Sequence, residues 1–78
     1  MKTLPALYVI YRFPLDYPGL YVCRIYRDDG QEPVGYWPDQ KPYAFARDLE
    51  GIRLRLPAGL CNIGRYANDD PVIVEVWL

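Results

Sequence analysis

Leu7-Tyr8-Val9-Ile10-Tyr11-Arg12-Phe13, then Pro14-Leu15-Asp16-Tyr17-Pro18-Gly19, then Leu20-Tyr21-Val22-Cys23-Arg24-Ile25-Tyr26-Arg27 is the stretch on which the fold turns. The outer segments are rich in β-branched and aromatic residues, which suit a half-buried pleated surface, and each reads as a strand. Two prolines and a glycine within the middle six residues interrupt them as a turn or short loop. Two strands joined by so short a connection pair antiparallel.

The pattern continues outward from this hairpin. Asp28-Asp29-Gly30 signals a tight turn, because glycine tolerates positive φ. Val34-Gly35-Tyr36-Trp37 reads as a short third strand stopped by Pro38. The period then changes. Leu49, Ile52 and Leu56 lie at i, i+3 and i+7, one face of a helix. Asp48 is placed to cap it, Phe45 and Ala46 extend it towards the N-terminus, and Pro57 and Gly59 end it. Gly51 weakens such a helix by about 1 kcal/mol relative to alanine, so the helix depends on packing. A strand reading of Ile52 to Leu56 also fits, because Ile52, Leu54 and Leu56 alternate with arginines, but the helix is preferred. Leu60-Cys61-Asn62-Ile63-Gly64 reads as a fourth strand, residues 66–71 as a turn, and Val72-Ile73-Val74-Glu75-Val76-Trp77-Leu78 as the final strand. The expected fold is α+β, residues 1–78 as a single domain: a mostly antiparallel sheet of four to five strands with one short helix packed on one face.

Composition narrows the function. The 78 residues carry nine basic and ten acidic side chains, a net charge of −1, which points away from a strongly basic nucleic-acid module. Neither histidine nor serine is present, and Thr3 is the sole aliphatic hydroxyl. A Ser/His or Cys/His nucleophile pair therefore has no base, and two cysteines cannot fill a Cys/His zinc site. The six glycines form no phosphate-binding loop. The expectation is a non-enzymatic protein without cofactor or metal. Apolar runs are too short for a membrane span, and no signal peptide opens the chain. With Cys23 and Cys61 far apart and outside any C-x-x-C motif, a reduced, cytoplasmic protein is expected, with Cys23 a small buried hydrophobe; a disulfide between them requires neighbouring strands.

Alternation assigns faces. In the last strand Val72, Val74 and Val76 form an aliphatic face, expected to meet the helix. Matching the strands by polarity gives an opposite face of Tyr8, Arg12, Arg24, Tyr26, Glu75 and Trp77. Tyrosine, tryptophan and arginine are the side chains that anchor protein interfaces, so these six are the candidate partner-binding residues. The same residues also fit a solvated sheet face, with tyrosine–arginine stacking and an arginine–Glu75 pair stabilising the sheet alone. Eight tyrosines exceed what a core this size needs. The acidic pairs Asp28-Asp29 and Asp69-Asp70, even with Glu32, match a calcium loop poorly and read as solvated turns. Arg47, Arg53 and Arg55, with Arg65 beyond, read as a solvated helix face because Asp48 and Glu50 are interleaved.

Leu56-Pro57-Ala58-Gly59-Leu60, Arg65, and Asp69-Asp70-Pro71-Val72-Ile73-Val74-Glu75-Val76-Trp77, with Arg24 soon after Tyr21-Val22, resemble small uncharacterised proteins of proteobacterial phages and prophages. The resemblance implies an accessory protein that binds and blocks or regulates a host protein complex, in the manner of an anti-CRISPR inhibitor. It implies no catalytic residue. Two other readings stay open: a single-stranded nucleic-acid binder that stacks bases on the tyrosines, and a homo-oligomeric structural protein.

Overall fold

The computed structural model describes residues 5–31, 35–65 and 70–78. Thr3, Glu32, Val34, Asp69 and the first part of the expected turn at 66–71 lie outside them. The described elements are β1 (Leu7–Arg12), β2 (Tyr21–Asp28), β3 (Tyr36–Pro38), β4 (Ala44–Ala46), α1 (Leu49–Leu54), β5 (Asn62–Gly64) and β6 (Ile73–Trp77). All the strands join one antiparallel sheet in the order β3-β2-β1-β6-β5, and β4 also pairs with β2.

The α+β reading is correct, with six strands rather than four to five. The additional strand is Ala44–Ala46, of which Phe45 and Ala46 are expected to extend the helix. It pairs with the first half of β2, Val22 facing Phe45, while β3 takes the second half. The helix starts where Asp48 caps it: the carboxylate accepts the Gly51 N–H at 2.6 Å, the first-turn donor that no helical carbonyl reaches. Ile52 is the fully buried residue of the helix, and Leu49 and Leu56 flank it as the i, i+3, i+7 pattern requires.

The β1–β2 connection is held at its base by the Phe13 N–H donating to the Leu20 carbonyl at 2.9 Å. Phe13 itself sits at φ 50°, in the left-handed region. That cost to a bulky side chain is offset by edge contact of its ring with Tyr21, centroids 5.3 Å apart, and by the Arg12 guanidinium over its face.

The core lies between the helix and one sheet face, where Ile10, Cys23 and Ile52 are wholly buried and Tyr8, Tyr21, Val74 and Trp77 pack around them. Register explains this composition. Tyr8 opposes Ile25, Ile10 opposes Cys23, and on the other side Tyr8 opposes Trp77 and Ile10 opposes Glu75. Residues directly opposite share a face. Tyr8, Glu75 and Trp77 therefore lie under the helix, which corrects the expectation that the uniformly valine face of β6 meets it. The cause is a β-bulge. Register shifts between Ile10 and Tyr11, whose partners are Glu75 and Ile73, leaving Val74 as the extra residue. Alternation skips a beat there: Val74 packs with the helical core, whereas Ile73 and Val76 share the opposite face.

Candidate functional site

Two arrangements stand out, one on each side of the sheet. On the helix side Glu75 is buried, 7% exposed. Its Oε1 accepts from Arg53 Nε and Trp77 Nε1, each at 3.0 Å, and its Oε2 accepts from Asn62 Nδ2 at 3.1 Å and from a second guanidinium nitrogen of Arg53. A carboxylate removed from water is costly unless paired and hydrogen-bonded, and here four donors converge on two oxygens. The Arg53 guanidinium holds the Glu75 carboxyl below the usual carboxylate value, outweighing the opposing effect of burial. The expected arginine–Glu75 pair is thus present, with its arginine supplied by the helix. The cluster ties α1 to β5 and β6.

On the other side, β1, β2 and β6 present Leu7, Val9, Tyr11, Tyr26, Ile73 and Val76, and among the described residues no helix covers them. A groove of about 400 Å³ opens here over a floor of Val9 and Val76. Leu7, Ile73, Leu78 and Ile63 line it together with the rings of Tyr26 and Tyr36, and among the described residues no lining side chain is charged. The bulge that turns Val74 inward is what delivers both Ile73 and Val76 to it. Ile63 is 48% and Leu78 37% exposed, so the groove carries aliphatic surface into solvent.

Tyrosine hydroxyls order the neighbouring sheet surface. Tyr11 and Tyr26 reach towards each other above the Val9–Arg24 pair, and their hydroxyls hydrogen-bond. Burial, and next this bond to Tyr26, push the Tyr11 phenol above its ordinary value. The Tyr36 hydroxyl donates to the Pro5 carbonyl at 2.9 Å, which fixes one wall of the groove.

The six residues expected on one face separate. Arg24 and Tyr26 lie on the open side; Tyr8, Glu75 and Trp77 lie on the helix side, and Arg12 is exposed at the end of β1 in register with Tyr21. Polarity matching fails because Arg24 opposes Val9, an aliphatic residue. Arg24 is also occupied within the chain. It pairs with Asp16 at 3.1 Å and donates to the carbonyls of Asp39 and Gln40, stapling two loops across β2. Trp77 is part of the core. The groove's aliphatic residues escaped sequence reading, and the available signal was the spacing of Ile73 and Val76, three apart in a strand.

Cys23 is buried and Cys61 exposed, both free, and their segments are separated by β1 and β6. Burial pushes the Cys23 thiol up to about 12. Asp29 gathers the N–H groups of Gln31 and Gly35 and the Trp37 indole, and its carboxyl is held low chiefly by the Gln31 N–H and then by the indole. Among the described residues no three His, Cys, Asp or Glu side chains gather to hold a metal, and no helix is long and apolar enough to cross a membrane.

The chain matches no protein-family model, no curated protein and no solved structure.

Proposed function

We propose that the chain is a small non-enzymatic protein-binding module that works through the open sheet face, and that it blocks or regulates a larger protein by occupying it there. The observation that carries this reading is the groove over Val9 and Val76: aliphatic, edged by tyrosine rings and, among the described residues, without a charged lining side chain. Such surface gains free energy when water is excluded from it, and tyrosine adds rigid contact area with a polar tip. The same chemistry disfavours nucleic acid as the ligand, whose phosphates require cationic side chains. Two unbridged cysteines support a reducing, cytoplasmic setting.

The test is comparative capture from a bacterial lysate with tagged wild type, the groove variant Ile63→Glu and the distant helix variant Arg55→Ala. A protein retained by wild type and Arg55→Ala but lost by Ile63→Glu supports the reading. A partner that Ile63→Glu retains places binding elsewhere, and oligonucleotide retention that weakens steeply with salt replaces the reading with the nucleic-acid one.

A further inference from the structure

We infer that the chain carries a second docking site, between β4 and α1, for a short acidic peptide segment of another protein that sets an apolar side chain beside its carboxylates. This site is independent of the open groove: among the described residues the two have no lining residue in common. Local structure builds it. β4 ends at Ala46 and Asp48 caps α1, so Arg47 falls in the joint between strand and helix, while Arg55 is the residue that closes the helix. Both arginines line an open cleft of about 620 Å³ whose apolar surface comes from Leu20, Phe45 and Leu54. Phe45 and Arg55 continue it to Tyr43.

Charge complementarity names the first half of the occupant. Arg24, Arg27 and Arg53 are ion-paired with Asp16, Asp39 and Glu75, and Arg12 lies over the Phe13 ring. Arg47 and Arg55 differ: among the described residues neither side chain has an ion pair, a hydrogen bond or a ring contact. The acid in the same cleft, Asp48, is engaged at Oδ1 by the Gly51 N–H. Two guanidiniums thus face the cleft with their donors unmatched, and paired N–H donors of this kind recognise carboxylates.

The apolar surface names the second half. Phe45 and Tyr43 are exposed, and Leu54 is 81% exposed. A free anion leaves that surface wet. A peptide that alternates carboxylates with apolar side chains covers it, and excluding water strengthens the ion pairs at its margin. A nucleic-acid strand requires cations along its length, and two arginines beside Asp48 and Glu50 offer too few. The walls are already in place. The Tyr17 ring packs on Phe45 with centroids 4.8 Å apart, and the Asp48 cap fixes the start of α1 beside β4, so docking has little to order beyond the two arginine side chains.

Selection from a random dodecapeptide library displayed on phage, against immobilised wild type, tests this, followed by fluorescence anisotropy of the enriched peptides and far-UV circular dichroism of each variant. The expected result is enrichment of peptides that combine aspartate or glutamate with leucine, phenylalanine or tyrosine. Their affinity should fall at least about tenfold in the double variant Arg47→Ala with Arg55→Ala and stay within about twofold in Ile63→Glu. Should the double variant fail to fold, Leu54→Asp, at an exposed position, puts a like charge in the cleft and should weaken binding comparably. Peptides that bind a folded cleft variant as tightly as wild type, or whose asparagine and glutamine analogues bind as tightly, overturn the inference. Peptides lost only in Ile63→Glu overturn it and support the groove instead, so the two readings fail separately. A thymidine oligonucleotide bound more tightly than any peptide assigns the cleft to nucleic acid and overturns it, as does a library from which nothing is enriched.

Discussion

Arg53 on the helix and Glu75 on the last strand are joined by two hydrogen bonds from a single guanidinium, with the carboxylate buried and the arginine side chain 43% exposed. The pair is therefore asymmetric. The anion has given up water and depends on protein donors, while the cation remains largely hydrated.

That asymmetry orders two substitutions. Glu75→Gln replaces one acceptor oxygen with an amide that points donors at donors, because Arg53 and Trp77 approach Oε1 while Arg53 and Asn62 approach Oε2. It should cost about 2–3 kcal/mol in urea unfolding, as expected for charge-assisted bonds at a buried group. Arg53→Ala takes the cation and two of the four donors from a buried carboxylate and should cost at least as much. A smaller cost refutes the buried carboxylate as the organising group.

The same carboxyl gives stability a pH dependence with a defined sign. Its folded-state pKa lies below the unfolded value, chiefly through Arg53. The contribution is complete above the ordinary glutamate pKa of about 4.3 and disappears as pH falls through the lower folded value. Thermal unfolding of wild type should hold steady from pH 7 to about 5 and then decline, with the gap to Glu75→Gln narrowing over that acid limb. A gap that stays constant down to pH 2 excludes the linkage.

Gly51 sits inside the helix, where alanine ordinarily adds about 1 kcal/mol. Here a Cβ would lie 2.9 Å from Asp48 Oδ1 and 3.3 Å from Ala46 Cβ. The capping carboxylate would have to retreat from the N–H it satisfies, at a cost of about 1 kcal/mol. Gly51→Ala should consequently bring no net gain in chemical denaturation. A clear stabilisation would mean that the cap relaxes freely.

The cysteines should divide by reactivity. Cys61 is exposed, whereas Cys23 is wholly buried with its thiol raised to about 12. At pH 8, iodoacetamide should label one site per folded chain, mapped to Cys61 by peptide mass, and both sites in 6 M guanidinium. Native labelling of Cys23 would show that the core between β1, β2 and α1 opens readily.

The hairpin, the Asp48 cap and the Leu49-Ile52-Leu56 face were legible in the sequence because they depend on local rules: turn chemistry, capping and period. What was hidden depends on distant partners. Ala44–Ala46 carries no strong strand propensity and becomes a strand because the first half of β2 offers an unpaired edge. Face assignment by alternation fails at Val74–Glu75, where one bulged residue transfers Glu75 and Trp77 to the helix side and Val76 to the open side. Tyr26 was placed on the correct face, but strict alternation could not identify Ile73 and Val76 as its companions. Arg53 reads in the sequence as a solvated charge because its partner lies 22 residues away.

The position of β1 between β2 and β6 has a consequence for biosynthesis. The β1–β2 hairpin can close early on the ribosome, but the second edge of β1 waits for the last strand, since Tyr8 pairs with Trp77. Until then the nascent chain displays an unfinished strand edge, the template on which other chains misassemble, and α1 lacks the carboxylate that fastens it. Arrival of β6 completes the sheet and anchors the helix together, so the strand pairing of greatest sequence separation and the fastening of the helix both fall late in synthesis.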